Sequence, residues 1–250
     1  IENAITNKTK AIMPVHWTGR MCNMDKIVKI SKKYNLLIVE DAAQSMGSYY
    51  KNKHGGTFGK VAAFSAHPLK NLNAIGDSGF IITNNKKIYN KVKLYRNHGL
   101  EGRDNVAIFG VNSRLDSINA EILSYRLKRL NSIINRRIRN VNLYRKFIKT
   151  NKVILPKDEK YEKNSYVMFI NICENRNELQ SYLTSKGIQS LIYYGTPLHL
   201  HKASKKLGYK KGDFPNAERI CSKVLALPHH QHLKKKEIEY VSESINKFYA

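Results

Sequence analysis

The chain has 250 residues, with 44 lysines and arginines against 19 aspartates and glutamates, which gives a formal net charge of +25. Hydrophobic residues make up 42% of it and charged residues 25%, which is typical of a globular protein and excludes a disordered chain. No apolar run approaches the ~18 residues that a membrane span needs. We also expect no secretory signal, because the residues from Ile1 onward lack a basic stretch followed by an apolar one.

The cysteines and histidines indicate neither a disulfide framework nor a metal site. Cys22, Cys173 and Cys221 lie far apart, as is typical of a protein of the reducing cytoplasm. The histidines of the C-terminal part lack the flanking carboxylates or cysteines of a zinc spacing, so we expect no metal; they are His199, His201, His229, His230 and His232. The start at Ile1 reads as the middle of a sequence, and we expect an N-terminal part to be missing.

The large positive charge has three interpretations. Its lysines are spread along the chain, which favours an ordinary solvated surface. An anionic small substrate would be attracted by such a field, and nucleic acid is the third possibility. The basic stretch from Arg126 to Arg145 could grip nucleic acid, but we favour a solvated face or a subunit contact.

The predicted elements of the first half alternate between strands and helices. Strands are predicted at 11–15, 36–39, 61–65 and 80–83, and helices at 24–34 and 86–95. The run at 36–39 is apolar throughout, like a parallel strand that is buried on both faces. This alternation predicts an α/β class with a mostly parallel sheet.

The second half begins with one long predicted helix and then changes in character. Leu115–Ile148 has helical spacing throughout, and a helix of this length commonly bridges two domains. After it we predict strands at 166–172 and 188–194 and helices at 178–186, 216–225 and 235–248. We therefore predict a large α/β domain at residues 1–144 and a small α+β domain at 145–250.

The ends of neighbouring predicted strands carry chemically active side chains. Asp41 follows one strand, Ser65 ends the next, and Lys70 comes five residues later. Ligands of open parallel sheets bind beyond the carboxyl ends of the strands, so these groups should share one edge. Pyridoxal 5'-phosphate requires a lysine for its Schiff base, a carboxylate for its pyridine nitrogen and donors for its phosphate. The set therefore predicts a pyridoxal phosphate site.

Five motifs in order resemble the DegT/DnrJ/EryC1/StrS family of sugar aminotransferases. They are VEDAAQ (39–44), FSAHPLKNL (64–72), GDSG (76–79), RNHG (96–99) and NSRLD (112–116). PLH (197–199) and GYKKGDFP (208–215) extend the likeness towards the C-terminus. The resemblance implies the aspartate-aminotransferase-like fold of pyridoxal phosphate-dependent transferases and a homodimer with shared active sites. It also implies amination of a keto group on a nucleotide-linked sugar, usually with glutamate as donor.

The resemblance assigns roles to single residues. Lys70 would be the Schiff-base lysine and the proton carrier, Asp41 the partner of the pyridinium nitrogen, and Gln44 a neighbour of the ring hydroxyl. Ser65 would donate to the phosphate, and Asn112 would reach the phosphate of the neighbouring subunit's cofactor. Further candidates, for contact with the substrate, are His67, Arg114 and His199, although His67 also suits a structural role.

The chain departs from the family pattern in three places. The family's N-terminal Gly-Thr phosphate loop and its stacking aromatic ring have no counterpart here. Ser78 stands where glycine is common, and Ser165 precedes Tyr166 where a histidine is frequent. The first departure bears on cofactor affinity, and the other two bear on substrate detail.

Two other functions stay open at this point. One is a pyridoxal phosphate-binding relative without transaminase activity, such as a sugar dehydratase or a regulatory protein. The other is a basic nucleic-acid-binding protein on the same scaffold. A dehydratase of this group would be expected to replace the Schiff-base lysine, so Lys70 favours the aminotransferase.

Overall fold

The structure is a computed structural model that describes residues 1–250. Its strands and helices in chain order are β1 (Ala11–Ile12), α1 (Met24–Lys33), β2 (Leu37–Asp41), β3 (Tyr49–Tyr50), β4 (Lys53–His54), β5 (Val61–Ser65), β6 (Gly79–Ile82), α2 (Lys86–Tyr95), β7 (Leu100–Glu101), β8 (Asn105–Val106), α3 (Ser117–Leu127), α4 (Leu130–Phe147), β9 (Val153–Ile154), β10 (Glu162–Lys163), β11 (Phe169–Cys173), α5 (Arg176–Ser185), α6 (Pro215–Lys223), β12 (Val224–Leu227) and α7 (Lys235–Phe248). Short 3₁₀ turns occur at Glu2–Ala4, Trp17–Gly19, Leu198–Leu200 and Lys202–Leu207. None of the helices is both long enough and apolar enough to span a membrane.

The chain divides into two compact units. The first comprises residues 1–134 and 159–167, and the second comprises residues 135–158 and 168–250. Helix α4 runs from the first unit into the second, and the short segment 159–167 belongs with the first. The domain boundary at 144/145 stays a prediction.

The central sheet of the first unit has the strand order β1-β2-β5-β6. The β1–β2 and β2–β5 pairs are parallel, whereas β5 and β6 run antiparallel. Helix α1 starts at an Asn23 side chain that accepts the Lys26 N–H, which satisfies an otherwise unpaired donor. The same helix buries Met24 and Ile27 in a cluster with Ile38 of β2, which fixes it on the sheet.

The register of the sheet places two of the predicted site residues at one edge. Asp41, the last residue of β2, lies opposite Ala63 of β5, so Ser65 extends two residues beyond it. Phe64 is buried with Ala42 and Ala62, and its ring stacks on Phe80 at 5.1 Å between centroids. Since side chains alternate along a strand, Ser65 lies on the opposite face from Phe64.

Segment 159–167 is joined to the rest of the first unit by a small sheet and by a pair of hydrogen-bonded serines. Strand β10 pairs with β3, which in turn pairs with β4. Ser48 Oγ donates to Ser165 Oγ at 2.8 Å, and the Ser165 N–H donates to the Gly19 carbonyl at 2.9 Å. Gly19 has a φ of +85°, and a Cβ there would lie 2.6 Å from Ser165 Oγ. Only glycine fits this turn without strain.

The second unit contains an antiparallel sheet with the order β12-β11-β9. All four residues of β12 are buried, and Val224 and Ala226 pack with Ile170 of β11. The buried Tyr144 of α4 stacks on Phe169 at 5.2 Å, and its hydroxyl donates to the Pro228 carbonyl at 2.8 Å. These contacts bury the apolar face of the sheet under α4.

The long predicted helix is wrong in one respect: it is two helices. Helix α3 ends at Leu127, and α4 begins at Leu130. Between them the Arg129 N–H donates to the Arg126 carbonyl at 2.9 Å, an i→i−3 bond that tightens the turn. Every residue around the break is a good helix former, so the apolar periodicity continues across it.

The strands of the second half also differ from the prediction. The predicted strand at 188–194 does not form, because a strand needs successive ladder bonds and only Leu191 bridges to Ala226. The predicted strand at 166–172 starts later, at Phe169, after Tyr166 adopts a φ of +47°. The predicted helix at 216–225 ends at Lys223, and the chain continues as β12. In contrast, β5 and α7 have the predicted bounds.

Candidate active site

Asp41 stands at the carboxyl end of β2 and is held there by its own backbone. Its N–H donates to the Pro14 carbonyl at 3.0 Å, and its carbonyl accepts the His16 N–H at 3.1 Å. Its side-chain Oδ1 accepts the Ala43 N–H at 3.1 Å, while Oδ2 has no protein donor. One carboxylate oxygen is thus available for a ligand.

Lys70 lies in the turn that follows β5. Its N–H donates to the His67 carbonyl at 2.8 Å, and the turn is closed by the Ala74 N–H, which donates to the Ala66 carbonyl. The half-buried ammonium makes no hydrogen bond or ion pair. Burial lowers the pKa of Lys70, and the nearby Asp41 carboxylate opposes that shift. The residue therefore combines an uncommitted amine with an acid close enough to act on it electrostatically.

Ser65 and His67 connect the end of β5 to this turn. Ser65 Oγ accepts the His67 N–H at 3.3 Å, so its own O–H is not committed to any protein acceptor. The His67 ring accepts the Leu69 N–H at Nδ1, and its Nε2 lies 3.8 Å from Asp77. His67 therefore stabilises the turn, and its contact with a substrate stays a prediction.

The side chain of Gln44 is fixed by a hydrogen bond from the backbone. This hydrogen bond also determines which end of the amide can bind a ligand. Gln44 Oε1 accepts the Thr18 N–H at 2.6 Å. Because a backbone N–H can only donate, the oxygen of the amide must face Thr18, and the NH₂ group points elsewhere. Thr18 has a φ of +63°, a rare conformation for a β-branched residue. Gln44 can therefore donate to a ligand.

A buried histidine–glutamate pair lies directly behind these residues and was missing from the sequence interpretation. His16 Nε2 and Glu40 Oε2 are 3.0 Å apart, and neither side chain is exposed. The two residues are 24 positions apart, so no local spacing pointed to the pair. A signal was nevertheless present, because an ionisable residue stood within the apolar strand at 37–41.

The other predicted site residues are not joined to this group by hydrogen bonds. Asn112 is exposed at a bridge to Asn97, and its Oδ1 accepts from Arg114 Nε at 3.1 Å. His199 lies in the second unit, where its Nε2 is 3.0 Å from Glu218 Oε1 and its side chain is only 7% exposed. Their proposed roles therefore stay predictions.

Three of the four arginines of α4 make hydrogen bonds within the second unit. Arg137 donates to the His229 carbonyl and to Gln231, and Arg139 donates to the Leu233 carbonyl. Burial lowers the pKa of Arg137 to about 10. Arg145 donates to the Pro156 carbonyl. These three guanidinium groups are bonded inside the second unit, whereas Arg136 is exposed. The role of the whole basic stretch as a solvated face or a subunit contact therefore stays a prediction.

The residues at the sheet edge fit the chemical demands of pyridoxal phosphate. The half-buried Lys70 amine has no protein partner, and one oxygen of Asp41 has no protein donor. Ser65 keeps its hydroxyl proton and Gln44 keeps its amide NH₂. The aldehyde of the cofactor requires an amine, and its ring nitrogen requires an acid. The ring hydroxyl and the phosphate each require a hydrogen-bond donor.

Comparison with known sequences identifies the family of the chain. The sequence model of the DegT/DnrJ/EryC1/StrS aminotransferase family matches residues 1–246. A protein of Geobacillus stearothermophilus described as a pleiotropic regulatory protein is 37% identical over 252 residues, 100% of this chain and 68% of that protein. A dTDP-3-amino-3,6-dideoxy-alpha-D-galactopyranose transaminase of Aneurinibacillus thermoaerophilus is 38% identical over 248 residues, 99% of this chain and 68% of the enzyme. The chain thus spans about two thirds of the length of these relatives.

Comparison with solved structures confirms the predicted fold class. The crystal structure of S. venezuelae DesV in complex with a ketimine intermediate superposes with a TM-score of 0.95 at 33% identity. The match covers 99% of this chain and 67% of DesV. Together with the family match and the named transaminase, it confirms the predicted fold and the predicted aminotransferase class.

Proposed function

Because the chain belongs to the DegT/DnrJ/EryC1/StrS aminotransferase family, we propose that it uses pyridoxal phosphate to aminate a keto sugar linked to a nucleotide. We propose glutamate as the amino donor, in line with the family resemblance. The relative from Aneurinibacillus thermoaerophilus is named as a transaminase of a dTDP-linked sugar, which supports the substrate class. A reaction of two half-reactions would carry the amino group from donor to sugar.

The observation that carries the proposal is the state of the Lys70 amine. It is half-buried, it has no protein partner, and its lowered pKa makes the neutral amine more available at neutral pH. A lysine placed on the surface without a function would be solvated and fully protonated. The neighbouring Asp41 carboxylate supplies the second group that the chemistry requires.

Four residues of the sheet edge would hold the cofactor. Lys70 would bind it covalently, Asp41 would pair with its ring nitrogen, Gln44 would donate to its ring hydroxyl and Ser65 to its phosphate. When bound, pyridoxal phosphate supplies an electron sink for the carbon that loses its proton.

The protein's own contribution is to position these groups and to move a proton. Lys70 would act as general base and acid at the amino carbon, and burial favours this role because it lowers the pKa of the amine below its ordinary value. The Asp41 carboxylate would pair with the positive ring nitrogen. Ser65 and Gln44 orient the ring between these two groups.

The remaining roles extend beyond this edge. We propose a homodimer in which the exposed Asn112 reaches the phosphate bound by the neighbouring subunit. His67, Arg114 and His199 would contact the substrate. The three free cysteines fit a cytoplasmic protein.

Titration with pyridoxal phosphate tests the proposal. The purified chain should develop a visible absorption band that saturates as the cofactor binds covalently to Lys70. Lys70→Ala should remove the band, and Asp41→Asn should weaken binding because the ring nitrogen loses its acid. Lys87→Ala, which changes an exposed lysine of α2, is the matched control and should bind like the unchanged protein.

A half-reaction separates the aminotransferase from a protein that merely binds the cofactor. The loaded protein, mixed with glutamate, should release one equivalent of 2-oxoglutarate per site and lose its visible band. Binding without release of the keto acid would favour the regulatory or dehydratase alternative. A band that persists in Lys70→Ala would contradict the proposed lysine.

A further inference from the structure

We propose that His16 and Glu40 are positioning residues that hold Asp41 and Gln44 in the geometry needed to bind the cofactor. Neither residue is among the four that we propose to hold the cofactor. The pair acts through one backbone bond, from His16 to Asp41, and one tight turn at Thr18. The inference rests on the proposed function, since it concerns the cofactor site.

Glu40 is the centre of a dense set of hydrogen bonds. Its Oε1 accepts the N–H groups of Phe58 and Gly59, both at 2.6 Å, and its Oε2 accepts the Gly56 N–H at 2.7 Å. His16 is the fourth donor, at 3.0 Å. Only an ionised carboxylate accepts four bonds without offering a proton. Glu40 is therefore a buried anion that anchors the loop 56–59 to β2.

The orientation of the His16 ring is fixed at both nitrogens. The Cys22 N–H donates to His16 Nδ1 at 3.3 Å, so the ring proton is on Nε2 and donates to Glu40. His16 is fully buried. The ring thus joins β2 to the chain segment 16–22, which contains the turn at Thr18 and Gly19.

The pair controls Asp41 through the backbone. Asp41 follows Glu40 directly, and side chains alternate along a strand, so a locked Glu40 fixes Asp41 on the opposite face. The His16 N–H also donates to the Asp41 carbonyl at 3.1 Å. One residue therefore binds both the carboxylate of Glu40 and the backbone of Asp41.

The pair controls Gln44 through the turn. Two residues after His16, Thr18 adopts a φ of +63° and its N–H reaches Gln44 Oε1 at 2.6 Å. A β-branched residue stays in this region only where its surroundings impose it, and such strain commonly marks functional sites. His16 at the start of the turn and the close contact of Gly19 with Ser165 at its end supply that constraint.

The test compares two His16 variants with a control that is only structural. His16→Gln can donate to Glu40 and accept from Cys22, whereas His16→Ala can do neither. Ile27→Ala removes a buried side chain of the same unit that makes none of the hydrogen bonds of the network. Dissociation constants for pyridoxal phosphate are measured by titration at a temperature where each variant is folded by circular dichroism. In parallel, ¹⁵N NMR of the ring reports the Nε2–H tautomer without any cofactor.

The expected result is about tenfold weaker binding in His16→Ala, the equivalent of one lost hydrogen bond. His16→Gln should restore most of the affinity, Ile27→Ala should bind normally, and the unchanged protein should show the Nε2–H tautomer. Equal affinity in His16→Ala and Ile27→Ala would overturn the positioning role and leave the proposed function intact. The Nδ1–H tautomer would overturn it as well. If the unchanged protein binds no pyridoxal phosphate, both proposals fail.

If His16→Ala does not fold, the affinity of His16→Asn for pyridoxal phosphate is measured instead. Its shorter amide can reach only one of the two partners, Glu40 or Cys22. We therefore expect His16→Asn to bind pyridoxal phosphate more weakly than His16→Gln does. Affinity equal to that of the unchanged protein would again overturn the positioning role.

Discussion

The substitution Glu40→Gln tests how strongly the buried network stabilises the first unit. It preserves the size of the side chain and replaces one acceptor oxygen by an NH₂ group. The four groups around Glu40 are all donors, namely the His16 ring and the N–H groups of Gly56, Phe58 and Gly59. Whichever way the new amide is turned, its NH₂ group faces two of these donors.

The structure sets the size of the expected effect. A lost bond between a buried donor and a charged acceptor costs ~1.5–3 kcal/mol. Two such losses sum to about 3–6 kcal/mol. Removal of a buried ionic partner typically costs about 3–5 kcal/mol, and we expect this loss in the free energy of unfolding. For a chain of this length, the corresponding fall in Tm is about 6–20 °C.

Urea unfolding of the cofactor-free protein, followed by far-ultraviolet circular dichroism, measures this loss. Glu243→Gln makes the same chemical change at an exposed position of α7 and serves as the control. If Glu40→Gln loses no more stability than Glu243→Gln, the reasoning from the four donors is refuted.

Three further predictions follow from the same contacts. Burial raises the pKa of Glu40, but the hydrogen bonds from His16 and the loop 56–59 outweigh burial and lower this pKa overall. The stabilisation by Glu40 is therefore complete above the ordinary pKa of about 4.3 and is lost as the pH falls through the folded-state pKa. Unfolding free energies measured against pH should show this loss, and Glu40→Gln should abolish the pH dependence. Asp41 raises the pKa of Lys70, so the loss of its charge in Asp41→Asn should increase the fraction of neutral amine. Acetylation of Lys70 near neutral pH, followed by mass spectrometry, should therefore be faster in this variant. An unchanged rate would argue against the proximity of Asp41 and Lys70. Gly19→Ala should lower Tm more than Gly187→Ala, since both have a positive φ but only the first would place its Cβ 2.6 Å from a neighbouring oxygen.

The elements that were predicted well are those whose local pattern has a single solution. Strand β5 is a short apolar run between turn residues, and α7 combines helical periodicity with a Glu237 that closes its N-terminal capping box. Asp41, Ser65 and Lys70 were predicted together because strand order and strand polarity bring strand ends to one edge. The sheet register agrees with that expectation.

The features that were missed depend on contacts between distant residues. Strand β12 follows a helical pattern without a break and is identified only by its pairing with β11. The interior use of Arg137 depends on carbonyls more than ninety residues away, which a basic stretch cannot reveal. The His16–Glu40 pair likewise joins two segments through the fold. Local propensity describes each segment, whereas the tertiary partners decide its final state.

The most direct measurement is to identify the lysine that carries the cofactor. The protein is loaded with pyridoxal phosphate, reduced with borohydride, digested and mapped by mass spectrometry. We predict that the phosphopyridoxyl group is on the peptide containing Lys70 and that Asp41→Asn lowers the yield of this labelled peptide without moving the label. A label on another lysine, or one spread over the many surface lysines, would contradict the proposed site.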